Sequence, residues 1–267
     1  MDLITFTDIH CHIVPGIDDG ARDAQQSLAM AEAASADGSR TLIATPHQLG
    51  TNSHVTAAAI RAGVESLNRA LAAADIDVTV LPGADVRIEP ELPALLKSGD
   101  VVTLADRGRH VLLELPHDVY IPLEPLLDAL KKQGLTGILS HPERNKGIIA
   151  RPSLVTEVVR AGGLIQITAG SLLGAFGGSA RKVAELCVRQ RLVHFIASDA
   201  HDTSRRPFGI GPAHAAVAEL ADERLADEVA IENPARVAAG LAVMSRRRGQ
   251  TAGARRGMFS WLGRRAA

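Results

Sequence analysis

The sequence predicts an α/β protein whose parallel sheet closes, or nearly closes, into a barrel of seven strand–helix units forming a single domain. Three observations carry this expectation. Seven short apolar runs recur between residues 3 and 198, helical patterns separate most of them, and the histidines and acids gather where the runs end.

"LITFTDI" (3–9) opens the series and is followed by the helical stretch "DAQQSLAMAEAASADG" (23–38). "TLIAT" (41–45) leads to "HVTAAAIRAGVESLNRALAAAD" (54–75), and "VTVLPGADV" (78–86) is the third run. "HVLLEL" (110–115) precedes "LEPLLDALKKQG" (123–134), and "TGILS" (136–140) precedes "PSLVTEVVRAGG" (152–163). "LIQIT" (164–168) precedes "SARKVAELCVRQR" (179–191), and "HFIAS" (194–198) is the last run. Nearly continuous apolar strands need both faces covered, the condition of a parallel sheet flanked by helices. Several helical stretches stop at glycine, which takes the left-handed cap conformation without steric cost. So many units in so short a length favour a barrel over an open sheet.

With 267 residues, 46% of them apolar and 22% charged, the chain has the balance of a soluble globular protein. The aromatic residues are Phe6, Phe176, Phe195, Phe208, Phe259, Tyr120 and Trp261, so the core must be Leu, Val, Ile and Ala. Two cysteines, Cys11 and Cys187, are too few for a disulfide framework, and a cytoplasmic setting is expected. No run approaches the ~18 apolar residues of a membrane span. The start "MDLITFTDIH" lacks the basic-then-apolar order of a secretory signal. Net charge is −1, but it is unevenly spread. Seven arginines (Arg246, Arg247, Arg248, Arg255, Arg256, Arg264 and Arg265) follow Met244 with no acid among them, leaving 22 basic against 30 acidic residues in 1–244. An acidic body gives no reason to expect a nucleic-acid partner.

His10 and His12 follow the first run, His47 the second and Asp85 the third; Glu114 and His117 close the fourth, His141 the fifth, and Asp199 and His201 the seventh. In a parallel barrel these carboxyl ends meet at one face, where such enzymes place their active sites. Residues i and i+2 of a strand point the same way, so His10 and His12 would grip one ion together while Cys11 turns into packing. Asp199 and His201 share that spacing. Imidazole with carboxylate and no thiolate suits Mn, Fe or Zn rather than a structural zinc site. His54, His110, His194 and His214 lie away from strand ends and read as surface or packing residues. His117 is expected near the site without being a ligand. Of Asp18 and Asp19, one faces the site and the other caps the following turn.

"DIHCHIVPGIDDG", "ATPH", "GADV", "LLELP", "LSHPERN" and "ASDAHDTSRRP" occur in the order seen in the polymerase and histidinol phosphatase (PHP) superfamily. More narrowly, the chain resembles the CpsB/CapC group of manganese-dependent protein-tyrosine phosphatases of bacterial capsule and exopolysaccharide systems, from Asp8 to about Pro234. The resemblance implies a distorted seven-stranded TIM-like barrel, the PHP fold, with three divalent ions, most simply Mn2+, with Fe or Zn as alternatives. It implies that His10, His12 and Asp199 hold the first ion, Glu114 and His141 the second with Asp85 and Glu114 bridging, and Asp19, His47 and His201 the third. Arg144 and Arg206 match the phosphate-binding arginines, with Arg205 a weaker claimant. Asp199 and Glu114 are also expected to act in catalysis. One position departs: Asp85 stands where the group is expected to have Glu, one methylene longer, and Glu89 is a conceivable substitute.

Four carboxylates against three divalent ions leave a surplus of about two positive charges, which suits a phosphomonoester dianion. Two guanidiniums would grip its oxygens bidentately, and a metal-bound water of pKa near ~7 would attack in line. Phenol, with a pKa near ~10, leaves readily, so a tyrosine ester needs little acid help. Cysteine-dependent tyrosine phosphatases need Arg six positions after Cys, whereas Ile17 and Val193 stand there. The alternatives are a small-metabolite phosphatase such as histidinol phosphatase, and a phosphotyrosine-binding barrel that Asp85 has cost its catalysis. The resemblance implies a membrane-associated polysaccharide tyrosine kinase as partner. The basic tail, residues 245–267, is expected to be disordered; its Met258, Phe259, Trp261 and Leu262 between arginine pairs would suit an anionic membrane face.

Overall fold

The computed structural model describes residues 5–243. In chain order the elements are β1 (Phe6–Cys11), α1 (Ala24–Ala36), β2 (Ser39–Ala44), β3 (His47–Gln48), α2 (Ala57–Ala73), β4 (Thr79–Pro82), β5 (Asp85–Arg87), α3 (Leu92–Ser98), β6 (His110–Glu114) and α4 (Glu124–Lys132). They continue with β7 (Thr136–Leu139), α5 (Lys146–Ala150), α6 (Leu154–Arg160), β8 (Leu164–Thr168), α7 (Ala169–Leu172), α8 (Gly177–Arg189), β9 (Phe195–Ala197), α9 (Ile210–Leu220), α10 (Glu223–Asp227) and α11 (Asn233–Ala238). The helical caps follow the sequence: Gly38, Gly134 and Gly162 all hold positive φ just past α1, α4 and α6.

All strand pairs are parallel, as the apolar runs imply. Strands β1-β2-β4 form one sheet and β3-β5-β6-β7-β8-β9 the other. Nine segments thus stand where seven runs are expected, because an extra short strand, β3, follows the second run and the third run is broken. Pro46, which has no N–H to give a ladder, separates β2 from β3. Gly83 separates β4 from β5, and a Cβ there would stand 2.7 Å from Ile43 Cγ2 and 3.2 Å from the Ala44 carbonyl. At both places the chain passes from one sheet to the other. A parallel bridge between Cys11 and Ala200 joins the end of β1 to the segment after β9, so chain positions nearly 190 apart become neighbours.

One apolar layer contains Ile9, Ile43, Leu112, Ile138, Leu164 and Phe195, drawn from six strands. Two residues further along β6, β7 and β8, the same face carries Glu114, Ser140 and Gln166, because side chains repeat every second residue. The layer is therefore a floor, and the polar residues at the carboxyl ends stand on it. The opposite parity, with Val111, Leu113, Leu139, Ile165 and Ile196, packs under the helices. Among the described residues no helix is long and apolar enough to cross a membrane. The tail expected to be disordered, 245–267, lies outside the described residues.

Candidate metal centre

Every proposed ligand from nine positions converges. His10 Nε2 lies 3.2 Å from Asp199 Oδ1 and 3.6 Å from Asp85 Oδ2, and His12 Nε2 lies 3.4 Å from Asp199 Oδ1. His47 stands 3.6 to 3.7 Å from Asp19, Asp85 and Glu114. His141 Nε2 is 3.6 Å from Asp85 Oδ2 and His201 Nε2 3.5 Å from Asp19 Oδ1. The donor atoms fall into four tight groups: His12 with Asp19, His47 and His201; His10 with His12 and Asp85; His10 with His141 and Asp199; and His47 with Asp85 and Glu114. The resemblance drew its ligand sets differently: it put His12 with His10 and Asp199, whereas here His12 also stands among Asp19, His47 and His201.

These separations suit divalent ions. Donors held about 2.1 Å from a shared ion, at angles from roughly 90° to 120°, stand roughly 3.0 to 3.7 Å from one another. Hydrogen bonding points the same way. Both Asp85 oxygens, His47 Nδ1 and His201 Nε2 are buried without a hydrogen-bond partner, which a native protein seldom tolerates. Three rings have their outer nitrogen occupied, leaving Nε2 turned inward: His10 Nδ1 meets Gln166 Oε1 at 3.0 Å, His12 Nδ1 meets Asp18 Oδ2 at 2.7 Å, and His201 Nδ1 meets the Asp199 carbonyl at 3.0 Å. Metal-binding histidines are commonly oriented in this way. Two backbone positions are forced for it, since His141 and Asp199 hold φ of +32° and +54°, conformations that side-chain-bearing residues adopt at a cost.

The electrostatics are those of crowded imidazoles and acids. Burial lowers His10 to about 3 despite Asp199 and Asp85. Burial would also lower His12, but Asp18 and Asp199 raise it to about 10. Burial opposes ionisation of Asp85, yet His10, His141 and His47 hold it well below the usual carboxylate range. Glu114 is pushed up to about 7, first by burial and then by Asp85. A divalent ion would take the place of the protons this set competes for.

Asp85 is fully buried and reaches three imidazoles with its shorter side chain. Glu89 does not replace it: its carboxylate accepts the Gly50 N–H at 3.0 Å, and it belongs to none of the donor groups. His117 is exposed and stacks over His141 at 6.0 Å, outside those groups. Cys11 is turned into the apolar cluster beneath α1 and α2. His110, His194 and His214 are buried in packing and His54 is exposed, away from the site.

Both Arg144 and Arg206 donate to Asp199 Oδ2. Arg205 instead lines a cavity of about 350 Å³ that borders the centre at Asp19 and His201.

Several contributors escape sequence reasoning. Of the Asp18–Asp19 pair, Asp18 is the one that caps the turn, accepting the Gly20 N–H at 3.0 Å, but it also grips His12 and accepts the His47 N–H at 3.1 Å. The glycine of D-D-G is obligatory, because a Cβ on Gly20 would stand 2.1 Å from the His12 carbonyl oxygen. Gln166, fully buried in an apolar strand, orients His10. In "HPERN", the buried Glu143 accepts from the Thr168 N–H at 2.9 Å and the Ser171 hydroxyl at 2.7 Å, tying the turn to α7. Asn145 donates to the carbonyls of Pro116 and Val119, tying the same turn to the loop after β6. Only Gln166 left a local signal, a polar side chain at an inward position of a buried run.

The chain matches the family model "Capsular polysaccharide synthesis, CpsB/CapC" over residues 6–239. It is 41% identical over 203 residues to the tyrosine-protein phosphatase YwqE of Bacillus subtilis, covering 75% of this chain and 79% of that one. It is 25% identical over 236 residues to the tyrosine-protein phosphatase CpsB of Streptococcus pneumoniae, covering 86% and 97%. A solved structure from work on those two proteins, described as metal-dependent tyrosine phosphatases, superposes with TM-score 0.85 and 36% identity over 89% of this chain and 96% of that one. A phosphotriesterase homology protein of Escherichia coli shares the fold, at TM-score 0.57 and 12% identity over 88% and 99%. The chain belongs to the CpsB/CapC family of capsular polysaccharide synthesis proteins.

Proposed function

We propose that this protein is a metal-dependent protein-tyrosine phosphatase acting in capsule or exopolysaccharide synthesis. The observation that carries the reading is a set of four linked metal-competent donor groups with two guanidiniums donating to Asp199, a member of one of them. His10, His12, Asp19, His47, Asp85, Glu114, His141, Asp199 and His201 would hold three divalent ions, with Mn2+ the ion expected of this donor set. When bound, the ions supply positive charge and a water acidified toward ~7 as nucleophile.

The chain's own residues do the rest. Arg144 and Arg206 bind the non-bridging oxygens, fix the phosphorus for in-line attack and neutralise charge as it develops. Asp18, Gln166 and the Asp199 carbonyl hold the imidazoles in one tautomer. No side chain needs to accept the phosphoryl group. Cys187 is pushed up to about 12 and Cys11 well above its usual value, in both cases chiefly by burial, so neither is a thiolate at neutral pH. Tyrosinate departs without a dedicated acid.

In this reading the nine strand segments make seven barrel positions in one catalytic domain, residues 1–244, followed by the basic tail. The substrate is a tyrosine-phosphorylated protein, a membrane-associated polysaccharide kinase, met at the inner face of the membrane from the cytoplasm. The test is hydrolysis of a tyrosine-phosphorylated peptide by wild type, Arg144→Ala and Arg206→Ala. Each variant is expected to lose at least about 100-fold in kcat/KM, the scale of one lost transition-state donor. Retention of wild-type rates by both variants would contradict the reading.

A further inference from the structure

The segment between α7 and α8 reads L-G-A-F-G, and both glycines are left-handed, Gly174 at φ +90° and Gly177 at +85°. They turn the chain sharply about Ala175 and Phe176, and the Ala175 N–H closes the turn on the Gly170 carbonyl at 2.8 Å. The turn lifts Phe176 away from the apolar layers, leaving its ring half-buried. Leu173, on the same turn, is 46% exposed. The Phe176 ring is thus held at the edge of a charged site by a backbone shaped to present it.

Phe176 is tied to the arginines. Arg144 Cζ lies 4.4 Å from the ring centroid and Arg206 Cζ 6.0 Å from it. Among the described residues no other aromatic ring lies over either guanidinium. Glu143 fixes the distance between the two sides, since it joins the turn bearing Arg144 to the start of α7. Both guanidiniums also reach one oxygen, Asp199 Oδ2. A phosphoryl group shared by the pair therefore lies beside the rim of Phe176. In an aryl ester the ring begins one bond beyond the bridging oxygen, within reach of that rim. A serine ester has only a methylene there.

We infer that Phe176 is the specificity-determining wall of the site, packing against the ring of an aryl phosphomonoester and favouring aryl over alkyl esters. This rests on the phosphatase reading and adds to it the residue that selects the leaving group. An edge-to-face or offset contact between two rings accounts for a several-fold to tenfold preference.

The experiment compares phenyl phosphate with glycerol phosphate for wild type, Phe176→Leu and Phe176→Tyr, all loaded with Mn2+. Phe176→Leu is expected to lower the aryl-to-alkyl ratio of kcat/KM by about three- to tenfold, through KM for the aryl ester, and Phe176→Tyr to restore it. In parallel, calorimetry of phenylphosphonate and methylphosphonate binding reads the same ratio without turnover. An equal loss for both esters, with an unchanged phosphonate ratio in Phe176→Leu, would overturn the inference and leave the ring only a support for Arg144. A wild-type protein that hydrolyses neither ester would sink the phosphatase reading instead, and the phosphonate ratio would still decide whether Phe176 selects aryl groups.

Discussion

At the scale of single residues, the site is an accumulation of buried groups that are costly apart. Asp85 shows this best. It has no exposed surface, no hydrogen-bond partner, and three imidazoles within 3.7 Å of Oδ2. The shorter carboxylate is therefore fitted to its place. Asp85→Glu is expected to overpack by about 1–3 kcal/mol and to lower turnover, as read by urea unfolding and by phosphate release. A large gain in turnover would mean that Asp85 is a defect. Asp18 acts one step back, through His12 and the His47 backbone. Asp18→Asn is expected to weaken Mn2+ binding by about 10- to 100-fold in a calorimetric titration, whereas unchanged affinity would leave it a turn cap alone. The donor residues were legible in the sequence because they are polar, sit at the ends of apolar runs and pair at i, i+2. The roles of Asp18, Gln166 and Glu143 were not, because each depends on a partner that only the fold brings into reach: Gln166, although it stands out as polar in a buried run, meets His10 across 156 positions.

At the scale of elements, the sequence disclosed the alternation of strand and helix but not where strands break. Gly83 lies inside a run that reads as continuous, and only the neighbouring strand shows why it interrupts; β3 lies past Pro46, beyond the end of the second run. The turn "HPERN" is the element on which the site most depends. It presents His141 and Arg144 while Glu143 and Asn145 anchor it on opposite sides. Asn145 is also the cap of α5, accepting the Ile148 N–H at 2.9 Å. Asn145→Ala is expected to cost about 1–2 kcal/mol and to raise KM for a phosphotyrosine peptide, because the turn carrying Arg144 loosens. Unfolding curves and steady-state kinetics together check this. A loss of stability with KM unchanged would separate the anchor from the arginine.

At the scale of the whole molecule, two buried histidines outside the site couple stability to pH. His194 is lowered to about 4 by burial, and its Nδ1 accepts the Ile165 N–H at 3.2 Å, a bond that needs the neutral ring. His110 is lowered to about 4 by burial and then by Arg109. Between the unfolded value near 6.5 and the folded value near 4, the unfolded chain binds more protons. This stability is fully present above 6.5 and is lost as pH falls through that window, by up to about 3 kcal/mol for each histidine. Metal-stripped protein unfolded by urea at pH 7 and 4.5 reads the loss, and His194→Gln is expected to reduce it. An identical loss in the variant would place the acid sensitivity elsewhere. The parallel sheets, the single polar face and the family were all legible from one chain. The bridge that joins Cys11, at the end of β1, to Ala200 after β9 was not, because that residue pairing depends on a contact between the two ends of the fold.

These donors and arginines are expected to hydrolyse phosphotyrosine only with divalent ions bound. The deciding experiment strips the protein of metal, titrates Mn2+, and follows phosphate release from a tyrosine-phosphorylated peptide and from histidinol phosphate side by side, with His141→Ala as control. The expected result is Mn2+-dependent turnover of the peptide, little turnover of histidinol phosphate, and loss of activity in His141→Ala. Turnover of histidinol phosphate alone, or peptide hydrolysis indifferent to Mn2+ and to His141, would contradict it.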